Sequence, residues 1–305
     1  MRVAAIDVGT NSVLLCIGEK AHDGCTRILL ETGRNSRLGK GSSQDNELQP
    51  EAMDRTFNAI GECLDEARVI GAEKVRLVGT SALREATNRG VFIDRIRSEL
   101  GVDLEPIPEQ EEGRLSYLAV SRDPDIGGYT GRQVIVDVGG GSTETIFGED
   151  DNLLSISSVK AGAVRCTDKF FKENDLSIHR LIDVVSAVDQ LLNGIEKLSD
   201  VTRFVGVGGS AVNLARVFYE TAIEDTVKVH GHRISCRDLR KLMDLFMSLP
   251  ADQRRQLKGL EPERADIILT GAIILYRALA WLGIEEMTVS TRGLRHGLLY
   301  EMLAD

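Results

Sequence analysis

No stretch of this 305-residue sequence is apolar for long enough to span a bilayer, so no membrane partner is expected. Its five cysteines (Cys16, Cys25, Cys63, Cys166 and Cys236) are scattered and odd in number, without CxxC spacing or a Cys/His cluster. Neither a zinc site nor a disulfide framework is therefore in view. Positive charge is scarce: 37 Lys and Arg stand against 47 Asp and Glu, a net charge of −10. A chain without a basic excess lacks the face that broad nucleic-acid binding requires, although a local group of arginines and turn amides can still take a polyanion. Low-complexity segments and short-period repeats are absent. The opening Met-Arg-Val-Ala-Ala-Ile-Asp is strand-type from the start, with no signal-peptide pattern, so a cytoplasmic protein is expected. What remains, 42% hydrophobic and 28% charged residues, suits one large or two ordinary globular domains.

What is present is a phrase spoken twice. Ala4-Ala5-Ile6-Asp7-Val8-Gly9-Thr10-Asn11-Ser12 is echoed by Ile135-Val136-Asp137-Val138-Gly139-Gly140-Gly141-Ser142-Thr143. Each is a strand-type run ending in Asp, a small apolar residue, Gly and hydroxyl residues, and each is followed by a second strand-type run. The pattern predicts a β-hairpin whose turn carries a carboxylate and a group of backbone N–H donors. Glycine lets such a turn approach a bulky anion closely, and its amides can bind phosphate oxygens. An Asp beside the turn is placed to hold a Mg²⁺ that also meets the phosphates. One copy would be an ordinary Gly turn with a locally satisfied Asp. Two copies about 130 residues apart, with a third Gly-rich stretch at Gly208-Gly209-Ser210, predict two related half-domains facing one phosphate cleft.

Periodicity gives the rest of the plan. Strands are expected at 3–6, 13–18 and, after an Asp23-Gly24 turn, 27–32; a loop follows over 33–49. A helix over 50–70, a strand at 75–79, a helix or turn from Thr80, a helix at 91–100, a strand at 104–107 and a helix after Glu109 complete the first half. The turn-forming 121–132 stretch sets a boundary, giving domains 1–126 and 127–292, with a last helix near 293–305 packing back on the first. The second half repeats strands at 133–138, 143–148 and 153–159, then helices near 163–173 and 177–196, a strand at 202–206 and a turn at 207–210. Helices near 211–220, 235–247, 251–256 and 261–282 and a strand at 286–289 precede the last helix. The class is α/β with a mixed sheet in each half.

Together with Gly79-Thr80-Ser81-Ala82-Leu83-Arg84-Glu85-Ala86, Glu111-Glu112-Gly113-Arg114-Leu115, Gly206-Val207-Gly208-Gly209-Ser210 and Ser290-Thr291-Arg292-Gly293-Leu294-Arg295-His296-Gly297, these motifs resemble the exopolyphosphatase/guanosine pentaphosphate phosphohydrolase family. That family sits in the actin, sugar-kinase and chaperone-ATPase superfamily, so the resemblance implies two ribonuclease-H-like domains with mixed sheets flanking a central cleft. It further implies a Mg²⁺-dependent enzyme that releases terminal orthophosphate from inorganic polyphosphate, guanosine pentaphosphate or both, and a homodimer. Two departures stand out: longer members carry further C-terminal helical domains, and Pro108-Glu109 and Gly113 replace the usual Ser-Gly and Ala around the double Glu.

Residue roles follow from the two readings together. Asp7 and Asp137 are the metal candidates. Thr10, Asn11, Ser12, Gly139, Gly140, Gly141, Ser142, Thr143, Gly208, Gly209 and Ser210 are the phosphate donors, with Arg84 able to bind phosphate through its fork. Acids at a helix start, such as Glu111 and Glu112, are common for dipole reasons alone. The resemblance makes one of them the base that positions water, Glu112 being favoured and Glu111 the alternative. Glu144 matches the family Glu of GGGSTE and otherwise is a solvated strand residue. Arg84 could instead pair with Glu85 or Asp94, and Arg34, Arg37 and Lys40 suit a solvated loop. His230 and His232 lack a carboxylate partner in sequence, and His296 suits a structural hydrogen bond. The rival functions are an ATP-dependent small-molecule kinase of the same superfamily and a non-enzymatic actin-like assembly protein.

Overall fold

Alternation decides the first sheet. In β1 (Arg2–Val8), Ala4, Ile6 and Val8 face one apolar cluster while Val3 and Ala5 face another, the two-residue period of a strand buried on both sides. The computed structural model describes every residue except 22–23, 42–45, 172–175 and 305. Asp23 of the expected turn, part of the 33–49 loop and the end of the 163–173 helix lie outside the described residues. Among the described residues the chain divides into two units, Met1–Ala119 with Leu294–Asp305, and Val120–Gly293.

In the first unit β1 pairs antiparallel with β2 (Ser12–Lys20), which pairs with β3 (Thr26–Asn35). On its other side β1 runs parallel to β4 (Lys74–Gly79), and β4 to β5 (Leu104–Pro106), giving the order β3-β2-β1-β4-β5. Helices α1 (Pro50–Ile70), α2 (Ser81–Glu85) and α3 (Arg89–Leu100) follow β3 and β4. Ile60, Cys63, Phe92 and Ile96 from α1 and α3 join Ile6 and Val8 in one cluster. The opposite cluster takes Leu115 of α4 (Glu109–Ser121) and Leu298, Leu299 and Leu303 of α11 (Leu294–Ala304).

The second unit repeats the plan and extends it. β6 (Arg132–Val138), β7 (Thr143–Glu149) and β8 (Asn152–Val159) form an antiparallel meander. β9 (Val201–Val207) is parallel to β6 and to β11 (Glu286–Val289), with β10 (Arg233–Ser235) at the edge, in the order β10-β11-β9-β6-β7-β8. The surrounding helices are α5 (Ala163–Phe170), α6 (Ile178–Asn193), α7 (Gly208–Phe218), α8 (Cys236–Ser248), the single turn α9 (Ala251–Arg254) and the apolar α10 (Ile268–Leu282). Val134, Val136, Phe204, Leu214, Phe246 and Leu275 lie in their common core.

Five expectations are corrected. β3 runs on to Asn35, where a loop from residue 33 was expected; Gly33 does not break it. The 207–210 stretch is not a turn, because α7 begins at Gly208. The expected 261–282 helix is a 3₁₀ turn at Pro262–Arg264 followed by α10. The helices expected at 177–196 and 251–256 end at Asn193 and Arg254. No helix among the described residues is long and apolar enough to cross a membrane.

Candidate active site

The two echoed phrases build the same turn. In the first unit Asp7 stands opposite Leu14 and Val8 opposite Val13, and the Gly9 amide donates to the Ser12 carbonyl at 2.9 Å. In the second unit Asp137 stands opposite Glu144 and Val138 opposite Thr143, and the Gly139 amide donates to the Ser142 carbonyl at 3.1 Å. A Cβ on Gly9 or on Gly139 would meet that carbonyl at the same 3.2 Å. Asp, Gly and the hydroxyl residue therefore recur at matching register positions of the two hairpins.

In the second unit the carbonyls of Gly139 and Gly140 accept amides of Ala163 and Val164 at 2.9 Å, at the start of α5. The Gly141 carbonyl accepts Arg165 Nε at 2.8 Å. No described peptide is cis, and in a trans peptide the next amide points opposite to the carbonyl. The amides of Gly140, Gly141 and Ser142 therefore all face away from α5, as a row of donors suited to an anion. The Thr143 hydroxyl donates to the Ala161 carbonyl. Gly162 backs this row: a Cβ there would run into the Gly140 carbonyl and the Gly141 amide. Gly162→Ala is accordingly expected to cost about 1–3 kcal/mol, the usual scale of overpacking, read as a lowered melting temperature.

Asp137 and Glu144 share one face as cross-strand partners. Glu144 is 1% exposed, not a solvated strand residue, and accepts the Ser158 hydroxyl at 2.9 Å. Gly208 opens α7 with φ +86°, and a Cβ there would lie 2.6 Å from Asp137 Oδ1. The absent side chain leaves the cradle in which the carboxylate sits. Gly209 is covered by the Arg264 guanidinium, whose Nε donates to Glu261 Oε2 at 2.7 Å, and Ser210 packs against Gly271 of α10. Burial raises the Glu261 carboxyl, but Arg264 and Arg216 outweigh it and hold it below the usual range. Arg165 and Arg264 escaped the sequence reading: no motif marks them, and each reaches its glycine from a distant segment.

In the first unit the Thr10 carbonyl accepts the Gly39 amide at 2.9 Å and the Asn11 carbonyl accepts the Arg37 amide at 2.9 Å, turning the amides of Asn11 and Ser12 the other way. The side chains of Asn11 and Ser12 both donate to Asn35 Oδ1, at 3.1 and 3.0 Å, so they brace β3. Arg34 belongs to β3 and is held by Glu62 and Glu66 of α1 at 2.6 and 2.7 Å, which removes it from any solvated loop.

Carboxyl ends of β1, β4 and β5 carry Asp7, α2 with Arg84, and α4 with the double Glu. That edge is where open α/β sheets place ligands. It brings two separately predicted residues together. Arg84 Nη1 donates to Glu112 Oε2 at 2.9 Å and to the Ile107 carbonyl at 3.0 Å. Its Nη2 is buried and, among the described residues, has no hydrogen-bond partner; it lies 3.6 Å from Glu109. Pairing of Arg84 with Glu85 or Asp94 is thus replaced by pairing with Glu112. Glu111 points elsewhere, into a two-pronged bond with Arg114 at 2.8 and 2.8 Å, and Arg114 continues to Glu301. The Arg114 bond holds the Glu111 carboxyl below its ordinary value. Of the two acids, Glu112 is the one beside Arg84, 9% exposed. His296 is buried and bonded to Glu31, tying α11 to β3.

The Ppx/GppA phosphatase family model matches residues 17–305. The chain belongs to the Ppx/GppA phosphatase family. It is 34% identical to the Aquifex aeolicus family member, whose crystal structure superposes with a TM-score of 0.83 over 100% of this chain and 98% of that one. An exopolyphosphatase from Cytophaga hutchinsonii is 27% identical, with a TM-score of 0.91 over 100% of this chain and 98% of the other. Among curated proteins, the guanosine-5'-triphosphate,3'-diphosphate pyrophosphatase of Photobacterium profundum is 30% identical over 99% of this chain, and that of Vibrio cholerae 31%. This chain spans 59% of the length of those two relatives. The fold is thus the α/β actin-like ATPase type with two mixed sheets, as the Ppx/GppA resemblance implied.

Proposed function

We propose that this Ppx/GppA family protein is a phosphohydrolase that removes the terminal orthophosphate of guanosine pentaphosphate, inorganic polyphosphate, or both. The observation that carries the reading is the hairpin turn built twice, once with a row of three outward amides beside Asp137 and Glu144. The names of the relatives point to the same phosphoanhydride chemistry. In this reading the amides of Gly140, Gly141 and Ser142, with the start of α7, hold phosphoryl oxygens, and Arg84 adds a guanidinium. Glu112 takes a proton from the attacking water as its oxygen bonds to the terminal phosphorus and the anhydride bond breaks, releasing orthophosphate and the shortened chain. Glu144 helps to orient that water. A homodimer, as the resemblance implies, and a cytoplasmic location belong to the same proposal.

The donor set also fits Mg²⁺. Asp7 and Asp137 are hard oxygen donors at equivalent register positions, and the cradle that seats the Asp137 carboxylate exists only because Gly208 lacks a Cβ. Such an ion, when bound, would neutralise phosphate charge. Asp7→Asn and Asp137→Asn are each expected to raise the Mg²⁺ concentration needed for half-maximal phosphate release by about tenfold or more, since an amide is a weaker ligand for a hard ion. A Mg²⁺ titration checks this, and two variants that titrate like the parent would remove the metal assignment. The activity itself is tested by orthophosphate release from each polyanion with no co-substrate. ATP consumption only on adding a sugar or carboxylic acid would make the protein a kinase instead.

A further inference from the structure

The carboxyl edge of the second sheet has a third occupant. Beyond Asp137 near the end of β6 and α7 after β9, the segment Ser290-Thr291-Arg292 follows β11, the neighbour of β9. It is fastened by His230, which does have a carboxylate partner, contrary to the sequence expectation. His230 Nε2 lies 3.2 Å from Asp123 and 3.9 Å from Asp125. On the other side of the ring, Nδ1 accepts the Thr291 amide at 3.2 Å, with the Thr291 hydroxyl also at 3.2 Å. Arg292 Nε lies 3.2 Å from Asp123 Oδ2, and its Nη2 lies 3.7 Å from Asp125. With an arginine already on both carboxylates, the group is poorly suited to a cation.

The hydrogen-bond inventory fixes the proton. A backbone N–H can only donate, so Nδ1 must carry its lone pair and Nε2 the hydrogen that faces Asp123. Asp123 is 4% exposed and also accepts the amides of Asp125 and Ile126 at 2.8 and 3.1 Å. Burial raises its carboxyl, but the bonds from His230 and the Asp125 amide, with Arg292 nearby, hold it below the ordinary range. A second proton on the ring makes both nitrogens donors. The Thr291 hydroxyl can rotate to accept the new N–H; the Thr291 amide cannot, and loses its partner. The charged ring also faces Arg292 across a shared Asp123, with Arg203 interacting with the same carboxylate. Both effects act on residues 291–292.

We infer that His230 is a positioning residue that works as a proton-operated latch on the backbone after β11: neutral, it accepts the Thr291 amide; protonated, it releases that amide. The inference does not depend on the phosphohydrolase reading. Histidine exchanges its proton near neutrality, so the test is amide hydrogen exchange at Thr291 from about pH 8 to about pH 5, corrected for the intrinsic rate, with the His230 ring signal followed by NMR. The expected result is a protection factor that falls about tenfold, the scale of one hydrogen bond, with the same midpoint as the His230 titration. His230→Gln, whose amide can accept from Thr291 and donate to Asp123, should keep protection at both ends of the range. Constant protection through the titration, a His230 that does not titrate in this range, or an equal fall in the Gln variant would overturn the latch. The pH series on the unaltered protein decides the matter by itself if the variant does not fold.

Discussion

Glu112→Gln leaves the protein folded and able to bind its polyanion but lowers turnover by roughly two to four orders of magnitude, the usual contribution of a general base. Glutamine keeps the size and a hydrogen-bond acceptor for Arg84 Nη1 while removing the group that can take a proton. The neighbouring Glu111→Gln is the control. Its carboxylate is spent on Arg114, which is 40% exposed, so stability should change by at most about 1 kcal/mol and turnover by little. Steady-state phosphate release and a thermal melt on the two variants separate the roles. A dead Glu111→Gln with an active Glu112→Gln would transfer the base to Glu111, and two active variants would leave the mechanism without a base.

Arg84→Met should have the next largest effect. A hydrogen bond to a charged partner contributes about 1.5–3 kcal/mol, so kcat/KM for the polyanion should fall about 10- to 100-fold. The same change strips Glu112 of its cation in a site where the two side chains are only 17% and 12% exposed, so the melting temperature should fall as well. Arg84→Lys discriminates between these effects. It restores charge, and with it most of the stability, but not the fork that grips a phosphate. An Arg84→Met enzyme with unchanged kcat/KM and only a lower melting temperature would make Arg84 a structural partner of Glu112 and nothing more.

The parts of this molecule that the sequence disclosed are those in which chemistry and geometry are local. Asp7 and Gly9, like Asp137 and Gly139, sit within one hairpin, so the repeat could be read directly, and the α/β alternation followed from apolar periodicity. Gly208-Gly209-Ser210 misled because glycine disfavours helix interiors. The first turn of α7 accepts it, since there Gly208 gives way to Asp137 and Gly209 to Arg264. Gly33 misled in the opposite direction, as a strand breaker within a strand held by pairing to Leu14. The Arg84–Glu112 pair was not legible as a pair: 28 residues separate the two, and only the parallel pairing of β4 with β5 brings α2 and the start of α4 together. The same holds for His230, whose partners Asp123 and Thr291 are 107 and 61 residues away.

Hydrolysis in water enriched in ¹⁸O, with guanosine pentaphosphate or polyphosphate, Mg²⁺ and no other acceptor, tests the central claim most directly. Attack of water on the terminal phosphorus places one ¹⁸O in each orthophosphate released, read by mass spectrometry, and Glu112→Gln should suppress the labelled product in proportion to turnover. Unlabelled orthophosphate, or no orthophosphate until an organic acceptor is supplied, would contradict the account.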